Sequence, residues 1–237
     1  MSANPPDHNA SPTSAFDASA LTGLVRLESW GLIRAQGADA ASFLHNQLTQ
    51  DFVLLGREQA RLAGYCSPKG RMLASFIGWK SGEDEILLAC SRDLLAPTLK
   101  RLSMFVLRAK VKLSDASAEL ALYGAAGASV PAGLPAASWS RLDDAAGSWI
   151  RLPAAEGVAR ALLCARPECP PTADLPAAIW QWLEVRSGVC LVSAAVVEEF
   201  VPQMLNYESV GGVNFKKGCY PGQEVVARSQ YRGALKR

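Results

Sequence analysis

Apolar positions along this chain recur with two periods, and they divide it into extended and helical stretches. Leu32 to Gln36 alternates as a strand. Gly37 then opens Ala38 to Leu48, where Phe43, Leu44 and Leu48 share one helical face. Arg61 to Cys66 and Arg71 to Trp79 are extended runs on either side of Ser67-Pro68-Lys69-Gly70, the pattern of a hairpin. The acidic turn Gly82-Glu83-Asp84 leads into another strand, Glu85 to Cys90. Pro97 suits the first turn of a helix, where its missing N–H would be unpaired anyway, and Leu99, Leu102, Phe105 and Val106 follow at helical spacing. Strands are predicted near Ala109 to Leu113, Glu119 to Tyr123, Ser148 to Leu152 and Arg160 to Ala165, with a helix from about Leu175 to Ser187. Residues 125 to 147 are rich in Ala, Gly, Ser and Pro and read as loops. Strands and helices mix without regular βαβ alternation, so the predicted class is α+β.

Composition narrows this picture. With 237 residues, 49% of them hydrophobic and 19% charged, the chain can bury a sizeable core and is too apolar to be disordered. A net charge of +2 gives no bulk reason for nucleic-acid binding. No uncharged apolar run reaches the roughly 18 residues of a membrane-spanning helix. Residues 1–20 are small and polar, without the basic and apolar regions of a secretory signal, and read as a disordered tail on a cytoplasmic protein.

The cysteines at 66, 90, 164, 169, 190 and 219 form no CxxC pair, and the only histidines are His8 and His45, so no metal set is indicated. Cys219 stands apart. It lies in Lys216-Lys217-Gly218-Cys219-Tyr220-Pro221-Gly222-Gln223-Glu224, just ahead of a helix-compatible stretch, Val225 to Tyr231, with Pro221 at its first position. Unpaired N–H groups and the positive end of a helix dipole favour an anion there, and neighbouring cations favour a thiolate. Cys219 is therefore the candidate reactive thiol, against a buried spectator. Gly218 and Gly222 leave room for close approach by a ligand or another segment. Glu224 is favourable with the dipole and needs no function, while Gln223 can bind a ligand amide or cap the turn. His45, on a helix with no thiol or hydroxyl partner in view, reads as a surface or satisfied core histidine.

The stretch from Lys217 to Glu224 resembles the YgfZ-family signature K-G-C-[FY]-x-G-Q-E at every fixed position: Lys217, Gly218, Cys219, Tyr220, Gly222, Gln223 and Glu224. FLHNQLTQD at 43–51, YCSPKGRMLASF at 65–76, LRAKVKL at 107–113, FVPQMLNYESVGGVNFKKG at 200–218 and VVARSQYRG at 225–233 extend the resemblance, which adds Arg228 to the motif.

That resemblance implies the aminomethyltransferase folate-binding fold, with two ferredoxin-like α/β-sandwich subdomains. The first would comprise 21–110 plus 198–237 and carry the motif; the second would be 111–197. The terminal β-barrel of the family is expected to be missing, since the sequence stops at Arg237. The implied cofactor is tetrahydrofolate or a one-carbon derivative, held by Trp30 and Trp180, with Trp182 as a competitor for the second place. The implied role is folate-dependent assembly or repair of iron–sulfur clusters, supporting cluster enzymes that include one methylthiolating tRNA. Partners would be iron–sulfur proteins or cluster-assembly factors, with no direct nucleic acid and a monomeric chain. The residues themselves leave open an aminomethyltransferase of the glycine-cleavage type and a non-catalytic scaffold for cluster proteins. Lys69, Arg71 and Arg108 can meet folate carboxylates or stay solvated, and Asp51 can sit near a pterin or simply close a turn.

Overall fold

A computed structural model describes residues 21–166, 168 and 170–232. The predicted tail at 1–20, Cys169 and residues 233–237 lie outside the described residues. The strands are β1 (Gly23–Arg26), β2 (Trp30–Gln36), β3 (Ala60–Cys66), β4 (Met72–Lys80), β5 (Glu85–Ser91), β6 (Lys112–Asp115), β7 (Ala121–Ala126), β8 (Arg141–Asp143), β9 (Gly147–Ala155) and β10 (Val158–Ala165). The helices are α1 (Ala40–Gln47), α2 (Arg92–Ser103), α3 (Ala177–Ser187) and α4 (Gln223–Arg232). The class is α+β, as the mixed pattern indicates.

The strands form two five-stranded sheets, ordered β3-β4-β5-β2-β6 and β1-β7-β10-β9-β8, with every pairing antiparallel. The first half of the chain does not keep to one sheet. β1 joins the strands of the later sheet through β7, and β6 closes the edge of the earlier sheet beside β2. One apolar core runs through both sheets, and a smaller cluster around Tyr123, Trp149 and Leu163 packs on a further face of the later sheet. β4 carries Phe76, Ile77 and Trp79, all at most 1% exposed, and is buried on both faces, which is why its sequence is nearly continuously apolar.

Three local expectations are corrected. Pro97 lies inside α2, because β5 runs directly into the helix at Arg92. The proline removes one bond to the Asp93 carbonyl, and packing of α2 on β2 and β6 compensates. The stretch 125–147 contains an edge strand, β8, which pairs with β9. It is held less by apolar alternation than by Arg141, whose guanidinium donates to Asp143, and by Ser148, which does the same. Pro221 precedes α4 rather than starting it: Gly222 accepts the first helical bond, from the Val226 N–H.

Candidate functional site

The segment after α3 builds the first of two centres. Phe200 and Glu198 exchange backbone bonds with Met72 at the start of β4, and Gln203 donates through Nε2 to the Val226 carbonyl of α4 at 2.6 Å. Gly222, at φ +79°, sits so close to the β3–β4 turn that a Cβ there would lie 2.4 Å from the Ser67 carbonyl oxygen and 2.7 Å from the Gly70 Cα. The motif glycine therefore seats the loop on another segment of the chain. Gly218 meets no such crowding.

Within the loop, exposure alternates. Lys216 is exposed, Lys217 buried, Gly218 and Cys219 exposed and Tyr220 buried. The Lys217 ammonium turns inward and donates to the carbonyls of His45 and of Leu48, the latter at 2.9 Å, so it satisfies carbonyls left open at the end of α1. It also lies 4.6 Å from the centre of the Tyr220 ring. Burial lowers its pKa to about 8, against the opposing pull of Asp51 and Cys219. Asp51 itself is buried. Burial raises its carboxyl, but the Leu54 N–H at 2.9 Å and His45 Nδ1 at 3.1 Å outweigh that and leave its pKa below the ordinary value. His45 is thus paired and half-buried.

Cys219 contrasts with the other cysteines among the described residues. Cys66, Cys90 and Cys164 are buried, and burial pushes each thiol up to about 12. Cys190 is half-buried and is also raised by burial, whereas Cys219 is exposed. Gln223 is half-buried at the start of α4, with Glu224 and Arg228 exposed along it. Lys69, Arg71 and Arg108 are also exposed, and Arg71 is engaged with the Glu198 and Glu199 carbonyls.

The second centre is a cleft where the two sheets meet. Trp30, at the start of β2, lines a nearly filled hollow of about 10 Å³ with Trp139, Arg160, Glu184 and Leu191. It also lines an adjoining open cavity of about 550 Å³ with Ser91, Arg92, Asp93, Glu184 and Leu191, which Trp139 and Arg160 do not reach. Trp139 is held at φ +69° by backbone bonds to Ala60 and Arg151 and by its indole N–H, which donates to the Val210 carbonyl at 3.1 Å. Arg160 is only 2% exposed, its Nε has no partner, and its guanidinium stacks 4.6 Å above the Trp180 ring. Burial lowers Arg160 to about 10 despite Glu184, while burial raises the Glu184 carboxyl against the opposing influence of Arg160 and the Trp180 indole.

Trp30 and Trp180 therefore occupy different places. Trp30 faces the cleft. Trp180 lies behind Arg160, packed so tightly on β7 that a Cβ on Gly124 would come within 2.6 Å of its ring. Trp182 is half-buried on the same helix. Sequence reasoning missed Trp139, Arg160 and Glu184, which are scattered along the chain and share no local spacing. One stretch runs between the two centres: Val210 accepts from Trp139, Gly211 from Gln50 at 2.7 Å and Gly212 from Thr49 at 2.6 Å. Among the described residues, no three His, Cys, Asp or Glu side chains gather as metal ligands, and no helix is long and apolar enough to cross a membrane.

This architecture is that of the aminomethyltransferases of glycine cleavage. The chain superposes on the crystal structure of aminomethyltransferase T from Bartonella henselae with a TM-score of 0.63, over 90% of this chain and 64% of that one, at 16% identity. The likeness is one of fold. In sequence, the chain is 32% identical to the tRNA-modifying protein YgfZ of an Enterobacter species and 33% identical to that of Edwardsiella ictaluri, each over 90% of this chain and 69% of the relative. It is also 30% identical to an uncharacterized Haemophilus influenzae protein, over 92% and 72%. No family profile matches. The chain belongs to the YgfZ family.

Proposed function

We propose that this protein binds tetrahydrofolate or a one-carbon derivative in the cleft beneath Trp30. With that cofactor it serves the assembly or repair of iron–sulfur clusters on which tRNA-modifying enzymes depend, and Cys219 is its working thiol. The observation that carries the reading is the open cavity of about 550 Å³ beside Trp30, which one indole, Glu184 and Asp93 line and which the buried Arg160, with its orphaned Nε, backs through Glu184. A pterin is flat, with an amide-like edge that both donates and accepts. The Trp30 indole suits its rings and Glu184 offers an acceptor, while Arg160 and Trp139 pack behind that wall. Trp180 bears on the ligand through Arg160, which it holds in place.

Folate, when bound, supplies or accepts a one-carbon unit. The chain's own residues do the rest. The cavity wall flanks the ligand's rings, and Cys219 presents the one exposed thiol among the described residues. A thiolate is the ligand type that iron–sulfur clusters take, so a cluster would be cargo held in passing rather than a resident group. The names of the YgfZ relatives favour a role beside tRNA-modifying enzymes in the cytoplasm, through iron–sulfur client proteins.

Two measurements test this. Tetrahydrofolate should quench the protein's tryptophan fluorescence, and Trp30→Ala should abolish that response; absence of quenching in the wild type removes folate from the account. In cells lacking the native relative, the wild-type chain should rescue a cluster-dependent tRNA methylthiolation and Cys219→Ser should not. Full rescue by Cys219→Ser would leave a scaffold in place of a thiol mechanism.

A further inference from the structure

Residues 100–114, from the end of α2 to just before Asp115 in β6, carry five cations, Lys100, Arg101, Arg108, Lys110 and Lys112, and no carboxylate. None of them forms an ion pair among the described residues. Asp39, the nearby acid, accepts from the Lys110 backbone N–H. Between these cations stand Met104, Phe105 and Leu107, which are 60%, 45% and 86% exposed. Single exposed apolar residues are ordinary, but three within four positions form a contiguous patch. Met104 also borders a groove of about 290 Å³, walled by Leu73, Leu94, Pro97 and Val197. Lys100 and Arg101 stand on its rim, and Arg101 keeps an Nε without a partner.

We propose that this groove and the adjoining Met104–Leu107 ridge dock an acidic segment of a partner protein, with one or two large apolar side chains anchored in the groove. Lys100 and Arg101 on the groove's rim and Arg108, Lys110 and Lys112 along the adjoining ridge, none of them in an ion pair among the described residues, call for an anionic partner. The concave apolar floor calls for side chains to fill it. RNA supplies phosphates but no aliphatic side chain for the groove, and of the three exposed residues only Phe105 can stack on a base. An anionic membrane favours a broad apolar face, whereas this floor is a cavity. The docking surface stands independently of the folate reading, since it shares no residue with the cleft beneath Trp30.

The test selects binders from a random 12-residue displayed peptide library on the full chain, with Leu107→Ser and Lys110→Ser as comparison variants. Both positions are exposed, so the variants should keep the wild-type melting midpoint. Selected peptides should combine Asp or Glu with Leu, Ile or Phe. Their synthetic forms should bind about tenfold more weakly to each variant and weaken as salt is raised. A selection that enriches no such peptides, or peptides indifferent to both substitutions, overturns the proposal. So does tighter, variant-sensitive binding of a 20-nucleotide single-stranded RNA or of phosphatidylglycerol vesicles.

Discussion

The tryptophan cleft and the Cys219 loop are built by opposite means. The cleft is lined by side chains of packed strands and of α3, and its charged groups, Arg160 and Glu184, are desolvated enough for burial to shift both. The loop has little regular structure of its own. It is pinned from outside by a lysine reaching the end of α1, by a glycine seated on the β3–β4 turn and by Gln203 beneath α4. The first arrangement suits holding a ligand in one pose, because its groups cannot relax. The second suits presenting a reactive group, because buried neighbours fix the backbone while the thiol stays in water. On the proposed function, binding and reactivity would fall to a rigid and a tethered part.

That separation can be broken at four places. The largest effect should come from Trp180→Ala, which empties a site 2% exposed and removes the ring beneath Arg160. A loss of about 3–5 kcal/mol in urea unfolding is expected, together with loss of folate quenching. Stability unchanged within error would mean that the cleft is not packed as described. Gly222→Ala should follow, at about 1–3 kcal/mol, because a side chain is strained at φ +79° and its Cβ would collide with the Ser67 carbonyl. Here the folate response should survive while Cys219 alkylation changes rate. A variant in which folate binding fails first would show the two centres to be one.

Lys217→Met should cost about 1–3 kcal/mol by leaving the His45 and Leu48 carbonyls without their donor. It also has a pH signature. Burial lowers Lys217 to about 8, so between there and its ordinary value of 10.5 the unfolded chain holds a proton that the folded chain has released. This group therefore makes stability rise with pH across that window, and below pH 8 its contribution is constant. The gap between wild type and variant should widen in favour of the wild type from pH 8 to 10. A gap independent of pH would show that the ammonium is solvated. Smallest of all is Cys219→Ser, which should leave the unfolding midpoint and the folate response unchanged and abolish labelling at that position by iodoacetamide, read by peptide mass spectrometry. A shifted midpoint would mean that the thiol is part of the packing after all.

Much of the fold was legible because its strands announce themselves locally. β4 is apolar throughout, the Ser67–Gly70 turn separates β3 from β4, and β5 follows an acidic turn. What escaped was whatever depended on distant partners. β8 lies in an alanine- and proline-rich stretch and exists because β9 is there to pair with it. The motif was equally visible, but the meaning of its lysine was not. Adjacent in sequence to Cys219, Lys217 reads as a cation for the thiol; in the fold its stem carries the ammonium to carbonyls some 170 positions earlier in the chain. Trp139, Arg160 and Glu184 converge only through the meeting of the two sheets, and no periodicity in the sequence connects them.

The exchange of edge strands between the sheets also dictates an order of assembly. β1 finds its neighbour only when β7, about a hundred residues later, has left the ribosome, and β2 has an open edge until β6 arrives. Such distant pairings close slowly, since chain entropy is lost before contacts reward it. The segment from Glu198 to Lys217 docks on β4 and α1 later still. Cys219 therefore acquires its setting only after the sheets and α1 are in place.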